Sequence, residues 1–123
     1  MSAQDSARTR FKRALASGDP LVATAAAREL PRVRLDDALR LLLLYHHAHD
    51  RRFERAALRW HTRLCAETPR LRLAEAATAL QALTALARGD LEHGAGALAG
   101  ILEALDADEL LAALYDSPTN TFS

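Results

Sequence analysis

The sequence predicts an all-α fold arranged as an array of helical hairpins. Hydrophobic residues make up 50% of the chain and aromatic residues only 5%. Such a composition, rich in alanine and leucine, favours closely packed helices. In addition, the segment 31–38 (PRVRLDDA) returns as 69–76 (PRLRLAEA) with an offset of 38 residues. This period is typical of helix-pair repeats that stack into one core, so we expect 31–68 and 69–106 to be paired repeats within a single domain, 1–115.

Capping and helix-breaking residues divide the chain into about six to seven helices. Gly18 and Asp19-Pro20 separate the first two, while Pro31, Pro69 and Gly89 separate the later ones. The expected spans are about 5–16, 19–30, 36–48, 51–67, 73–88, 90–105 and 107–115. The remaining segment, 116–123, is expected to be a disordered tail.

Apolar residues recur on one face of these helices, at spacings of three and four and with the same offset of 38. On the third helix and its counterpart, the fifth, they are Leu35, Ala38, Leu42, Tyr45 and His49, then Leu73, Ala76, Leu80, Leu83 and Ala87. On the fourth and sixth they are Phe53, Ala57, Trp60 and Leu64, then Leu91, Ala95, Leu98 and Leu102. We expect these faces to form the core, with the first two helices as a leading pair and the seventh as a cap.

The formal net charge of zero hides a division between two halves of the chain. Residues 1–72 carry 15 basic and 8 acidic side chains, a net of +7, whereas 73–123 carry Arg88 alone and 8 acidic side chains, a net of −7. Such asymmetry is typical of proteins that bind an acidic partner or nucleic acid, or that associate head to tail. The alternative is an ordinary solvated surface in both halves.

Membrane, secretory and disulfide-bonded classes are not expected. The longest apolar runs, among them Leu41–Tyr45 and Leu110–Tyr115, are far shorter than the ~20 residues of a membrane span. The first residues lack the apolar stretch of a secretory signal, and the single cysteine, Cys65, excludes an intrachain disulfide. We therefore expect a cytoplasmic protein that does not bind membranes.

Basic side chains form the leading candidate for an interaction surface. On the fourth helix, Arg52, Arg59 and Arg63 share one side with Arg55, about a third of a turn from the predicted core face. The candidate basic face is completed by Arg51 and by four residues of the first helix, Arg8, Arg10, Lys12 and Arg13. Such a face could contact phosphates by counterion release. Because no helix-turn-helix or zinc-finger spacing is present, a protein partner is favoured over nucleic acid.

A second candidate surface is a flat strip of small residues on the sixth helix. Gly96, Gly100 and Ala104 lie opposite the predicted core face and would let another helix approach closely, for example in a homo-oligomer. Each glycine costs close to 1 kcal/mol relative to alanine in a helix interior. The alternative is therefore a weakly stable terminal repeat.

Signals of catalysis or metal binding are weak. His46 and His49 are three residues apart, as two metal ligands on a helix would be, but histidines that bond carbonyls at a helix end are the simpler interpretation. His61 and Cys65 are four apart without a visible orienting group, and we expect Cys65 to be buried. The acidic pairs Asp36-Asp37 and Asp108-Glu109 start helices, where the dipole favours carboxylates. No phosphate loop, dinucleotide turn or nucleophile elbow occurs, so no enzyme, metal or cofactor is expected.

The block 52–61 (RFERAALRWH), which follows a leucine-rich helix, resembles the small Ala- and Arg-rich helical proteins of high-GC actinobacteria. The resemblance covers about residues 9–105 and implies a helical fold without implying an activity. Taken with the candidate surfaces, the sequence predicts a non-enzymatic adaptor or scaffold that binds another protein or a second copy of itself. The alternative is a nucleic-acid-binding accessory protein that uses the basic N-terminal half.

Overall fold

The structure, a computed structural model, describes residues 3–116 and the side chains from Ser6 onward. Within this part of the chain it contains seven α-helices and no strand, which confirms the predicted all-α class. The helices are α1 (Ala3–Ser17), α2 (Pro20–Arg28), α3 (Leu35–His47), α4 (Phe53–Glu67), α5 (Leu73–Ala87), α6 (Leu91–Ala104) and α7 (Asp108–Tyr115). The predicted disordered tail lies outside the described residues except for Asp116.

Side-chain caps and left-handed turns set the helix boundaries. The Asp19 carboxylate accepts a hydrogen bond from the Leu21 amide (2.9 Å) at the start of α2, and the Asp90 carboxylate accepts one from the His93 amide (3.2 Å) at the start of α6. Gly89, with φ of +86°, allows the sharp turn between α5 and α6. These are the residues that the sequence marks as breakers and caps.

Helices α3 to α7 form a closed ring around one core. Each packs on the next, and α7 returns to pack on α3. Trp60 of α4 is 1% exposed, and its indole nitrogen donates to the Leu35 carbonyl at the start of α3 (3.0 Å). In an open array each repeat contacts only its neighbours. Here α7, which the sequence predicts as an end cap, also contacts α3 and closes the ring. Helices α3 to α7 are therefore arranged as a bundle.

The leading pair, α1 and α2, packs on the outside of this ring. The two helices contact each other and α3. Ala14 and Ala23 form a small second core with Leu44, a residue of α3. Alanine at this contact lets the helix backbones approach closely, and Phe11 of α1 is fully buried as well.

The α5 face differs from the predicted one. Leu73 is 88% exposed and Leu80 is 41% exposed, whereas Ala79, Ala82 and Leu86 are buried. The prediction of a core face through Leu73 and Leu80 is therefore wrong. The cause is the close packing of α5 on α6, the most extensive helix contact of the structure, which turns the alanine-rich side of α5 inward.

A glycine sets the close approach of α5 and α6. A Cβ atom built on Gly94 would lie 2.8 Å from the Ala82 carbonyl oxygen and 2.8 Å from Cγ of Leu86. Only a residue without a side chain fits at this distance. The same helix leaves Gly96 and Gly100 with open space on their outer side.

Candidate protein-binding surface

The basic residues of α1 divide into paired and unpaired side chains. Arg8 forms an ion pair with Asp37 of α3 (3.2 Å), and Arg10 forms one with Glu29 beyond the end of α2 (3.2 Å). Lys12 and Arg13 are exposed and form no ion pair within the described part of the chain. Two of the four therefore hold α1 in place, and two are left to solvent.

The basic residues of α4 divide in the same way. Arg52 pairs with Asp50 (3.0 Å) and Arg63 pairs with Glu67 (2.7 Å). The other three are Arg51, in the turn before α4, and Arg55 and Arg59 on α4, and all are exposed and form no ion pair among residues 3–116. We call Arg51, Arg55 and Arg59 the open arginine row. The nine candidate residues thus do not act as one charged face, because carboxylates neutralise four of them.

An apolar groove lies between α4 and α5, and Arg51 of the open arginine row shares a neighbouring pocket with its residues Phe53 and Ala87. It encloses about 200 Å³ and is lined by Phe53, Glu54, Ala57, Leu58, Leu80, Leu83, Thr84 and Ala87. Leu58, one helical turn after Arg55, is 60% exposed at its rim. We call this feature the α4–α5 groove. Exposed apolar surface with a charged border is typical of protein contact sites.

Sequence reasoning did not find this groove. Leu80 was assigned to the core, and Leu58 belonged to no predicted face. The available signal was Leu58 itself, an apolar residue between Arg55 and Arg59 on the polar side of α4. A single such residue is common on protein surfaces. The groove depends on the orientation of α5 about its own axis, which places Leu80 and Leu58 in the same lining.

The two acidic residues at the start of α3 are buried, which dipole reasoning alone did not predict. Asp37 is 1% exposed and accepts hydrogen bonds from Arg8 (3.2 Å) and Arg40 (3.1 Å). Asp36 accepts one from Arg40 (3.0 Å) and pairs with Arg34 (3.2 Å). We call Arg8, Asp36, Asp37 and Arg40 the ion-pair cluster. It ties α1 to α3, so its role is structural.

The pKa of Asp36 records the balance within this cluster. Burial raises the pKa of the carboxyl group. The hydrogen bond from Arg40 and the charges of Arg34 and Arg40 together lower that pKa by a larger amount. The net pKa lies below the ordinary value. Asp36 is therefore ionised at neutral pH, as its role in the cluster requires.

A charged cleft of about 690 Å³ lies between the segment before α3, the end of α4 and the start of α7. Its lining holds five acidic side chains and three arginines. Ion pairs join the arginines to these acids, among them Arg34 to Glu109 (2.7 Å) and Arg32 to Glu67 (3.4 Å). Because the arginines are already paired, the cleft offers no free cation to an anionic ligand.

The histidines of α3 and α4 hold α5 in place. The Nε2 atoms of His46 and His61 donate to the carbonyl oxygens of Leu86 (2.8 Å) and Ala76 (2.7 Å). The prediction that His46 bonds the carbonyls of its own helix end is wrong, since its partner belongs to α5. His49 is exposed with φ of +54°, so its predicted place on the core face is also wrong.

Cys65 is exposed, which corrects the prediction that it is buried. Its Sγ atom lies 4.0 Å from Nδ1 of His61, whose Nε2 is oriented by the Ala76 carbonyl. No group of three or more His, Cys, Asp or Glu side chains placed to hold a metal ion occurs among residues 3–116. The thiol is thus an accessible side chain on the α5 side of α4.

The small-residue strip of α6 is exposed. Gly96, Gly100 and Ala104 all face outward, with nothing near either glycine. Of the three glycines in α6, the one with a packing role is Gly94, which the sequence did not distinguish from the others. Its buried position follows from the contact with α5.

Comparison with protein-family models, with curated proteins and with solved structures finds no match for this chain. The resemblance to the actinobacterial group therefore stays a prediction. None of the helices in the described part of the chain has the length and apolar character needed to cross a bilayer. The site must accordingly be interpreted from its own chemistry.

Proposed function

We propose that the protein is a non-enzymatic adaptor or scaffold that binds a protein partner through the open arginine row and the α4–α5 groove. The observation that carries this proposal is the juxtaposition of unpaired Arg55 and Arg59 with exposed Leu58 on one helix. Apolar contacts supply affinity, while charges at the rim supply attraction over distance and orientation.

The distribution of ion pairs favours a protein partner over nucleic acid. A nucleic-acid-binding surface needs a continuous set of cations that can neutralise successive phosphates. Arg8, Arg10, Arg52 and Arg63 are each engaged by a carboxylate. Of the arginines that stay open, Arg51 adjoins the apolar α4–α5 groove and Arg55 lies one helical turn before the rim residue Leu58, a combination that suits a folded protein surface.

The proposal includes a duplication within the chain. Helices α3 and α5 start at Leu35 and Leu73, and α4 and α6 start at Phe53 and Leu91, both pairs exactly 38 residues apart. This agreement supports 31–68 and 69–106 as repeats of one helical hairpin. The proposal also places the protein in the cytoplasm, where the exposed thiol of Cys65 stays reduced.

The test is capture of partners from a native lysate by wild type and by two variants with the same change in charge. Arg55→Glu/Arg59→Glu reverses the open arginine row, and Lys12→Glu/Arg13→Glu reverses two unpaired residues of α1 as the matched control. We expect a protein partner, identified by mass spectrometry, that the control retains and the α4 variant loses. Nuclease treatment should leave the capture unchanged. Capture that disappears with nuclease would support the nucleic-acid alternative instead.

A further inference from the structure

Opposite sides of the helix ring carry opposite charge. Arg51 and Arg88 lie at one end of the α4–α5 groove, because Arg51 shares a pocket with the groove residues Phe53 and Ala87 and Arg88 directly follows Ala87. Arg55 lies one helical turn before Leu58 at the groove rim. By contrast, the segment 91–116, which includes α6 and α7, contains no lysine or arginine. Its carboxylates include Glu103, Asp106, Asp108 and Asp116, all exposed.

An exposed aromatic side chain lies within this acidic region. Tyr115, at the end of α7, is 49% exposed, and its hydroxyl donates to the Glu103 carboxylate (3.2 Å). The next residue, Asp116, is also exposed and lies 3.9 Å from Arg40. We call Glu103, Tyr115 and Asp116 the acidic end. Tyrosine is among the residues that most often anchor protein interfaces, because its ring buries apolar area and its hydroxyl keeps a hydrogen bond.

We propose, as a refinement that rests on the proposed function, that the occupant of the α4–α5 groove is the acidic end of a second copy of this chain. Tyr115 of one copy enters the groove of the next, beside Leu58 and Leu80. Glu103 and Asp116 then face the open arginine row across the contact.

The dimensions and chemistry of the groove fit this occupant. Its volume of about 200 Å³ equals roughly six or seven water molecules at ~30 Å³ each, which is room for one aromatic ring. Glu54 lines the groove and supplies a carboxylate that can accept the tyrosine hydroxyl in place of Glu103. The remaining lining is mostly apolar, as an aromatic anchor requires.

The position of the two surfaces determines the type of assembly. In the ring order, the α4–α5 edge lies opposite α7, which packs between α6 and α3. A contact between different surfaces on opposite sides of a molecule is heterologous and does not close between two copies. The assembly therefore grows as short head-to-tail chains, and its mean size rises with protein concentration.

Salt should dissolve these chains. The formal net charge is zero, so copies do not repel each other as whole molecules, and attraction between the two oppositely charged surfaces dominates. The Debye length falls from ~10 Å at 0.1 M salt to ~3 Å at 1 M, which screens exposed charges at an interface. We expect sedimentation velocity to show chains at low salt and monomers at ~1 M salt.

Two variants with complementary charge provide the decisive experiment. Arg55→Glu/Arg59→Glu makes the groove surface acidic, and Glu103→Arg/Asp116→Arg makes the acidic end basic. Each variant alone should remain monomeric, because its two contact surfaces then carry the same sign. An equimolar mixture should assemble again, since every junction between unlike copies joins opposite charges. Lys12→Glu/Arg13→Glu, with the same charge change on α1, should assemble like wild type.

Tyr115→Ala tests the anchor separately. We expect self-association to weaken by about tenfold or more, the loss typical of a central aromatic residue. Leu73→Ala removes an even more exposed apolar side chain outside the groove and should have no effect. Circular dichroism checks that each variant keeps its helices. A fluorophore on the single cysteine, Cys65, on the α5 side of α4, should report docking only when the unlabelled partner carries Tyr115.

Three results would overturn the inference. They are a wild-type monomer at every salt concentration, a salt-resistant dimer that needs the Gly96, Gly100 and Ala104 strip, and assembly that Tyr115→Ala leaves unchanged. None of these results decides the proposed function. That proposal fails if no protein, a second copy of this chain included, depends on Arg55 and Arg59 for binding.

Discussion

The ion-pair cluster and the open arginine row use the same type of side chain in opposite ways. At the start of α3, Asp37 is buried and holds both Arg8 and Arg40. On the outer side of α4, Arg55 and Arg59 are exposed and form no ion pair among the described residues. The difference shows that an arginine count does not define a binding face. What matters is whether a neighbouring helix supplies a carboxylate.

The largest expected effect tests the connection between these two regions. Trp60 of α4 fills the core and donates to the Leu35 carbonyl beside the ion-pair cluster. Trp60→Ala should lower the free energy of unfolding by about 3–5 kcal/mol, because it leaves a large cavity and an unbonded carbonyl. Chemical denaturation measures this change. Arg59→Ala, the adjacent residue on the outer side, is the control and should change stability by less than ~0.5 kcal/mol.

The next effect compares the two regions directly. Asp37→Asn should destabilise by about 2–3 kcal/mol, because Arg8 loses its buried carboxylate and Arg40 keeps only that of Asp36. The cost stays below that of a fully buried pair, since both arginines are partly exposed and water compensates. Removing charge from the open row by Arg55→Gln should change stability by no more than ~0.5 kcal/mol. Equal losses at the two sites would show that Arg55 also has a structural partner.

A third prediction extends the comparison of inner and outer positions to the glycines of α6. Gly94→Ala should destabilise by about 1–3 kcal/mol, because the new Cβ would meet the Ala82 carbonyl at 2.8 Å and force the α5–α6 contact apart. Gly96→Ala, two residues later and open to solvent, should stabilise by about 0.5–1 kcal/mol through helix propensity. Thermal denaturation of the two variants gives shifts of opposite sign. A gain at Gly94 would mean that α6 can move away from α5 without cost.

Local signals predicted the helices well, and long-range contacts explain where prediction failed. Asp19, Pro20 and Asp90 act within one turn of their own position, so the sequence located those boundaries directly. The return of α7 to α3 joins residues far apart in the chain, and no local pattern encodes it. The exposure of Leu80, and with it the α4–α5 groove, follows from the close packing of α5 on α6 at Gly94, a contact between two helices. Burial of Asp37 was missed for the same reason, since Arg8 comes from another helix.

The smallest expected effect is the pH dependence contributed by the ion-pair cluster. Because the pKa of Asp36 is lower in the folded protein than its ordinary value of about 3.9, the unfolded chain binds this proton more readily at pH values between the two. The stabilisation is therefore complete above that ordinary value. It is lost as the pH falls through the lower, folded-state pKa.

This sign gives a specific test with one variant. Asp36→Asn removes the titrating group and its ion pairs with Arg34 and Arg40, so the variant should be less stable than wild type at neutral pH. The difference in unfolding free energy should shrink as the pH falls below about 4, because the unfolded wild-type chain then binds the Asp36 proton, and it should vanish once folded Asp36 is protonated at lower pH. Arg55→Gln should show no comparable convergence with wild type. A difference between Asp36→Asn and wild type that stays constant from neutral to acidic pH would show that Asp36 stabilises α3 through packing and hydrogen bonding, independently of its charge.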